Sequence, residues 1–226
     1  MATFVLIPGG WHGGWTFADF VAQLQRAGHE AYAPTLTGLD ASPATSPGIV
    51  NLDTHIDDVL SLLAVEDLTG VILCAHRYGG MVATGVADRA SERIAALVYL
   101  DAFVPEDGQS WWDLAGDGYR KIAIERARRD GFGVAPPENL DPRCAPHPLA
   151  SFVQALRLQG RANEIARRVF VYASGWSATP FTAQYERLCE NPAWTVRTLA
   201  CGHDVINAAP DAVMEILTEV AGDLSS

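Results

Sequence analysis

Arg77 is the residue of this sequence whose position carries the most chemical information. It lies in the run CAHRYGG at 74–80, between an apolar segment typical of a buried strand and a segment with helical spacing. Ala75 and Gly79, two positions to either side, are small, as a sharp strand-to-helix turn requires. The guanidinium is permanently charged and has no lone pair, so Arg77 can bind an anion but cannot be a nucleophile.

His203 is the candidate general base. It lies in the run CGHD at 201–204, at the end of a predicted strand and before the last predicted helix. If its ring shares a cavity with Arg77, the positive charge disfavours the imidazolium form, and the pKa of His203 falls. The sequence therefore predicts a neutral histidine beside an anion-binding arginine.

A glycine-rich loop, PGGWHGGW at 8–15, follows the first predicted strand. Glycines at this density let backbone N–H groups approach a ligand closely, as an oxyanion hole requires. An ordinary flexible strand-to-helix turn is the other interpretation.

These segments must be positioned by the elements between them, and the hydrophobic pattern predicts alternating strands and helices. Strands are expected at 3–8, 30–34, 70–75, 94–100, 168–173 and 194–199, and helices from Thr16, at 52–65, 79–90, 180–190 and 210–221. This alternation indicates an α/β fold with a six-stranded, mostly parallel, doubly wound sheet. In such sheets ligands bind at the carboxyl ends of the strands. The proline-rich stretch at about 102–167 breaks the alternation and predicts an inserted cap.

Four segments, at 4–15, 76–82, 99–105 and 202–204, resemble the α/β-hydrolase superfamily, and more narrowly its small esterases related to plant methylesterases, hydroxynitrile lyases and methylketone synthases. They span nearly the whole chain in the family order. The resemblance implies one α/β-hydrolase domain over 1–226, with His203 as the base. It also implies that the backbone amides of Trp11 and Tyr78 form the oxyanion hole.

The sequence departs from this family pattern at two positions. Arg77 stands where the family carries its nucleophilic serine, and the loop at 174–178, where the family's acid is expected, reads SGWSA and has no carboxylate. Asp101 is the nearby substitute, and it either orients His203 or pairs with Arg77. Catalysis through an acyl-serine intermediate is therefore not expected.

The main expectation is a cofactor-independent lyase, decarboxylase or cyclase that acts on an anionic keto or aromatic, polyketide-like substrate. His203 is the base, Arg77 binds the anion or enolate, and Asp101 completes the catalytic set. One alternative is an esterase-family hydrolase in which His203 activates water. Another is a binding protein that has lost catalysis, with an Arg77–Asp101 ion pair filling the pocket.

Aromatic residues of the cap are expected to form the wall of the substrate pocket. The predicted pocket residues are Gly10, Phe103, Trp111, Trp112 and Trp176. Packing of the cap onto the sheet is the competing interpretation for the aromatic ones. His55 is expected at the surface, and His147 has only a weak case for catalysis.

The amino-acid composition disfavours some classes of binding partner. The 226 residues carry a formal net charge of −11 with a single lysine, Lys121, so nucleic acid and anionic membranes are poor partners. No export signal or membrane span is evident, and the four cysteines are scattered, which favours a cytoplasmic protein with reduced thiols and no metal. A small-molecule substrate is expected, and a homodimer remains open.

Overall fold

Six parallel strands form the central sheet of the computed structural model, which describes residues 1–40, 50–127, 131–176 and 179–224. The strand order is β2-β1-β3-β4-β7-β8. Their bounds are β1 Thr3–Ile7, β2 Glu30–Tyr32, β3 Val71–His76, β4 Ile94–Leu100, β7 Arg167–Ala173 and β8 Thr195–Leu199. Every described residue pair in this sheet is parallel, which confirms the predicted fold class.

Helices cover both faces of the sheet. Their bounds are α1 Ala18–Arg26, α2 Leu52–Val65, α3 Gly79–Arg89, α4 Trp111–Leu114, α5 Gly116–Arg126, α6 Leu149–Val153, α7 Thr182–Cys189, α8 Val205–Ala208 and α9 Pro210–Asp223. Two buried apolar clusters separate accordingly, one containing residues of α2, α3 and α7 and the other containing residues of α1, α8 and α9. The sheet is therefore doubly wound, as predicted.

Local chemistry explains several element boundaries. α2 begins at Leu52 because Asn51 and Thr54 form a reciprocal capping box. The predicted strand at 30–34 ends at Tyr32, because Pro34 has no N–H to donate to a strand ladder. The predicted helix from Thr16 starts as a short 3₁₀ turn at Gly14–Phe17 and becomes α-helical at Ala18.

An insertion separates β4 from β7, in the region where the sequence predicts a cap. It contains α4, α5 and α6 and a small antiparallel pair, β5 Gly133–Val134 and β6 His147–Pro148. The predicted insertion ended at 167, but Arg167 is already the first residue of β7. Within the described part of the chain, no helix combines the length and apolarity needed to cross a membrane.

Candidate active site

The turn after β3 has the geometry of a nucleophile elbow. Its central residue, Arg77, has a φ of 51°, and its carbonyl accepts hydrogen bonds from the amides of Gly80 at 3.1 Å and Phe103 at 3.0 Å. A Cβ on Gly79 would lie 2.7 Å from the Ile7 carbonyl oxygen, and one on Gly80 would lie 2.0 Å from the Phe103 oxygen. The two glycines therefore permit the close contact of α3 with the two strand ends.

Positive φ angles concentrate at this end of the sheet. Trp11 has φ 67°, Arg77 φ 51° and Asp101 φ 42°, and only Asp67 among the other described non-glycine residues shares this conformation. Such backbone strain costs about 1–3 kcal/mol per residue and clusters at functional sites. The three residues follow β1, β3 and β4, which are neighbours in the sheet.

Asp101 contacts the ring of His203. His203 Nδ1 lies 2.5 Å from Asp101 Oδ2, while Asp101 Oδ1 accepts from the Ala173 amide at 3.1 Å and the Asp101 amide donates to the Val171 carbonyl at 2.7 Å. Asp101 is completely buried. Of the two roles left open for this residue, the structure thus shows the contact with His203, and the described residues contain no ion pair between Asp101 and Arg77.

His203 is held as a neutral imidazole. Burial, followed by the charge of Arg77, lowers its pKa to about 2, whereas burial raises the pKa of Asp101 to about 7. The ring of His203 packs against those of Trp176 and Phe181, at centroid distances of 4.4 and 5.6 Å. With Nδ1 facing Asp101, Nε2 keeps its lone pair; it is buried and has no hydrogen-bond partner among the described residues.

The guanidinium of Arg77 is the free cation of this site. The side chain is partly buried and makes no hydrogen bond or ion pair with any residue that the structure describes. Burial lowers its pKa, and the nearby Tyr119, Asp101 and Asp204 act in the opposite direction. An arginine remains protonated in proteins, so its donors are available to an anion.

Arg77 and His203 line one narrow cavity of about 20 Å³. A volume of this size holds about one water molecule. The other lining residues, mostly aromatic, are Gly10, Trp11, Tyr78, Phe103, Trp111, Tyr119, Phe152, Pro180 and Phe181. The cavity therefore brings together the predicted base, the predicted anion binder and a largely apolar wall.

Two of the predicted pocket residues do not line this cavity. Trp112 follows Trp111 on α4, and adjacent helical positions face different directions; its carbonyl accepts from Arg120 Nε at 2.5 Å. Trp176 packs against the ring of His203 instead. The wall contains Phe152 and Phe181 in their place, which the sequence analysis did not identify.

The backbone amides at the site differ from the predicted pair. The Trp11 amide already donates to His147 Nδ1 at 3.3 Å. The amides of Gly10 and Tyr78, both of which line the cavity, have no acceptor among the described residues. Gly10 therefore replaces Trp11 as the candidate oxyanion donor of the glycine-rich loop.

Two buried histidines, His147 and His55, contact the side chain of Tyr78, whose amide lines the cavity. His147 Nε2 lies 2.9 Å from Ser151 Oγ, and the His147 ring packs edge-on against that of Tyr78 at 4.5 Å. His55 Nδ1 lies 2.8 Å from the Tyr78 hydroxyl oxygen. His55 is completely buried, so the prediction of a surface position was wrong; its spacing from Leu52, Val59 and other buried residues on α2 carried the signal.

A nucleophile-elbow turn after β3, with a His–Asp pair contributed by the chain after β8 and β4 of a doubly wound sheet, defines an α/β-hydrolase architecture. The family model described as "Alpha/beta hydrolase family" matches residues 4–216. The chain belongs to this family.

Named relatives and solved structures agree with that assignment. The chain is 38% identical to the carbendazim hydrolyzing esterase of Nocardioides sp. (strain SG-4G), over 96% of this chain and 98% of the relative. It is 36% identical to salicylic acid-binding protein 2 of Nicotiana tabacum, over 46% of this chain and 40% of the relative. An extracellular α/β-hydrolase from a Paenibacillus species superposes with a TM-score of 0.80 at 21% identity, over 97% of this chain and 99% of that structure.

Proposed function

We propose that this protein hydrolyses a small ester by attack of a water molecule, with His203 as the general base and no acyl-serine intermediate. The observation that carries the proposal is the His203–Asp101 contact of 2.5 Å; His203 lines a cavity whose two backbone amides, of Gly10 and Tyr78, have no acceptor among the described residues. A base and an oxyanion hole are the parts that ester hydrolysis needs besides a nucleophile. Water supplies the nucleophile because Arg77 cannot.

In the proposed reaction, Nε2 of His203 takes a proton from water as the water oxygen attacks the ester carbonyl carbon. The negative charge that develops on the carbonyl oxygen is bound by the amides of Gly10 and Tyr78 and by the guanidinium of Arg77. Asp101 stabilises the imidazolium that forms. When the tetrahedral intermediate collapses, the imidazolium returns its proton to the leaving alkoxide, so the products are a carboxylic acid and an alcohol.

Arg77 must move for this reaction. His203 Nε2 has no exposed surface and the cavity has room for about one water molecule, so an ester needs displaced side chains. Arg77 is long, and no hydrogen bond to the described residues fixes it. A shift of its guanidinium toward the carbonyl oxygen would both open the cavity and bring a cation to the developing charge.

The substrate class follows from the wall of the cavity and from the relatives. Phe103, Trp111, Phe152 and Phe181 favour an aromatic or otherwise apolar body. The 38% identical relative is named an esterase that hydrolyses carbendazim. We therefore propose small aromatic esters, and carbendazim itself, as the first compounds to assay.

The test measures hydrolysis of p-nitrophenyl acetate, methyl benzoate and carbendazim, together with labelling by a serine-directed fluorophosphonate. We expect turnover without labelling by the fluorophosphonate. His203→Ala should lower kcat/KM by about 10²–10⁴-fold. His29→Ala, a change outside the cavity, is the control. Labelling of the wild-type protein, or full activity of His203→Ala, would contradict the proposal.

The unpartnered guanidinium of Arg77 favours a second candidate, lyase or decarboxylase chemistry on an anionic keto substrate. A cation beside a neutral base can bind a carboxylate or stabilise an enolate. The measurement is release of CO₂ from a β-keto acid such as 3-oxooctanoate. Release that requires both Arg77 and His203, without ester turnover, would favour this candidate over hydrolysis.

A further inference from the structure

A second and larger cavity lies beside the active site. It has a volume of about 360 Å³, and its lining includes Thr84, Tyr99, Val104, Leu158, Arg168 and Trp194. Phe103 borders the active-site cavity and Val104 borders this one, so the chain at 103–104 separates the two. No step of the proposed hydrolysis uses it.

Arg168 is a buried cation in this cavity, and none of the described residues provides it with a carboxylate partner. Its exposed fraction is 8%, its Nη1 donates to Asn163 Oδ1 at 3.1 Å, and its buried Nε has no hydrogen-bond partner among the described residues. The guanidinium carbon lies 5.2 Å from the centroid of the Trp194 ring. Arg167, the preceding residue of β7, faces the opposite side and pairs with Asp223 at 2.7 Å.

The acidic residues that border the cavity are already engaged. Asp88 accepts from the amides of Gln159 and Arg161, each at 2.7 Å. Glu106 pairs with Arg187 at 2.7 Å, and Asp107 accepts from the Leu158 amide at 2.8 Å. Within the part of the chain that the structure describes, Arg168 therefore has no carboxylate within 4.0 Å.

We propose that this second cavity binds a small organic carboxylate through Arg168, with the apolar part of the ligand against Leu97, Val104 and Leu158. A buried, unpaired charge is costly, and a bound carboxylate removes that cost with charge-assisted hydrogen bonds. Trp194 holds the guanidinium in place from one face, which reduces the entropy lost on binding. The site is distinct from the catalytic cavity and does not depend on the proposed hydrolysis.

The test is calorimetric titration of the 226-residue protein with benzoate. Arg77→Met serves as the background, because it removes the guanidinium that lines the active-site cavity. We expect one benzoate site in this background, and a loss of affinity of about tenfold or more when Arg168→Met is added. Benzamide, which has the same shape and no charge, should bind about tenfold more weakly than benzoate or not detectably.

Arg167→Met is the matched control, since it removes the adjacent surface arginine and should leave benzoate affinity within twofold of the background. Arg168→Gln, with circular dichroism and thermal unfolding of each variant, separates loss of binding from loss of fold. No benzoate binding to the Arg77→Met protein would overturn the proposal. Equal affinity with and without Arg168, or equal affinity for benzoate and benzamide, would overturn it as well.

Discussion

The backbone of Arg77 has the conformation of a nucleophile elbow, but its side chain cannot act as a nucleophile. Its φ of 51° and the small residues around it give the elbow geometry, and His203, the proposed general base, lines the same cavity. The side chain at position 77 therefore determines which mechanism is available. A nucleophilic side chain would allow covalent catalysis, whereas a cationic side chain can only bind charge.

Arg77→Ser should restore covalent chemistry. The substitution supplies a hydroxyl next to Nε2 of His203, and the His203–Asp101 contact and the free amides are already present. We expect the variant to be labelled by a fluorophosphonate and to release p-nitrophenol from p-nitrophenyl acetate in a burst. Arg77→Ala, which removes the guanidinium without adding a hydroxyl, should show neither. A folded Arg77→Ser protein without labelling would mean that the apex does not reach the base.

Activity should fall on acidification with a midpoint near the pKa of Asp101, which burial raises to about 7. When Asp101 is protonated, its O–H donates to Nδ1 of His203, so the ring proton moves to Nε2 and the lone pair needed in the cavity is lost. His203 itself stays neutral, because its pKa is about 2. The measurement is kcat/KM between pH 5 and 9. Asp101→Asn should abolish this fall of kcat/KM at low pH. If the variant shows the same fall, a group other than Asp101 causes it.

At the scale of elements, the elbow depends on how closely α3 approaches the end of β4. Gly80→Ala would place a Cβ 2.0 Å from the carbonyl oxygen of Phe103 in the loop after β4, so this loop and α3 would have to separate. We expect a loss of about 3 kcal/mol in unfolding free energy, measured by urea denaturation. Gly118→Ala on α5 is the matched control: nothing lies within 4 Å of its Cβ position, and a gain of up to about 1 kcal/mol is expected. Equal effects of the two changes would show that the contact is unimportant.

The cap is joined to the glycine-rich loop through His147. Because the Trp11 amide donates to His147 Nδ1 at 3.3 Å, the cap positions the loop that carries Gly10. His147→Leu should therefore reduce kcat by about tenfold, with a smaller change in KM, because the oxyanion donor shifts while the aromatic wall persists. His147→Gln, whose side-chain oxygen can accept from Trp11, should recover part of kcat. A change confined to KM would assign His147 to substrate binding.

At the scale of the whole molecule, buried neutral histidines make stability depend on pH. Burial lowers the pKa of His55 to about 4, below the value of about 6.5 in the unfolded chain. The unfolded state therefore binds more protons between these values, and stability falls as pH decreases from 6.5 toward 4, by about 1.4 kcal/mol per pH unit for this group. Asp101, with its raised pKa, acts in the opposite direction.

The prediction is tested by urea unfolding between pH 5 and 7. His55→Asn should reduce the slope of unfolding free energy against pH by about 1.4 kcal/mol per unit. Tyr78→Phe removes the hydroxyl that contacts His55 but leaves the buried ring, so its slope should stay close to that of the wild type. An unaltered slope in His55→Asn would mean that other groups control the acid response.

The features that depend on local residue patterns could be predicted from the sequence. The alternating apolar runs predicted the strands and helices, and Ala75, Arg77 and Gly79 predicted the elbow. The cap was different, because its aromatic residues follow no single period and tertiary packing decides which of them face the cavity. For this reason Trp111 and Phe152 line the cavity whereas Trp112 does not, and the sequence did not single out Phe152. The contact between Asp101 and His203 joins residues 102 positions apart, so only the fold could select it.

The left-handed backbone conformation at Arg77 has a consequence for how this protein can change over generations. Glycine packing and the carbonyl of Arg77 hold the turn, so the turn does not depend on which side chain it displays. Several arginine codons become serine codons by a single nucleotide change. Covalent catalysis by a serine and charge binding by an arginine are therefore one nucleotide change apart at this position. Because the turn is kept, a lineage with this fold can pass from one chemistry to the other without an intermediate that must refold.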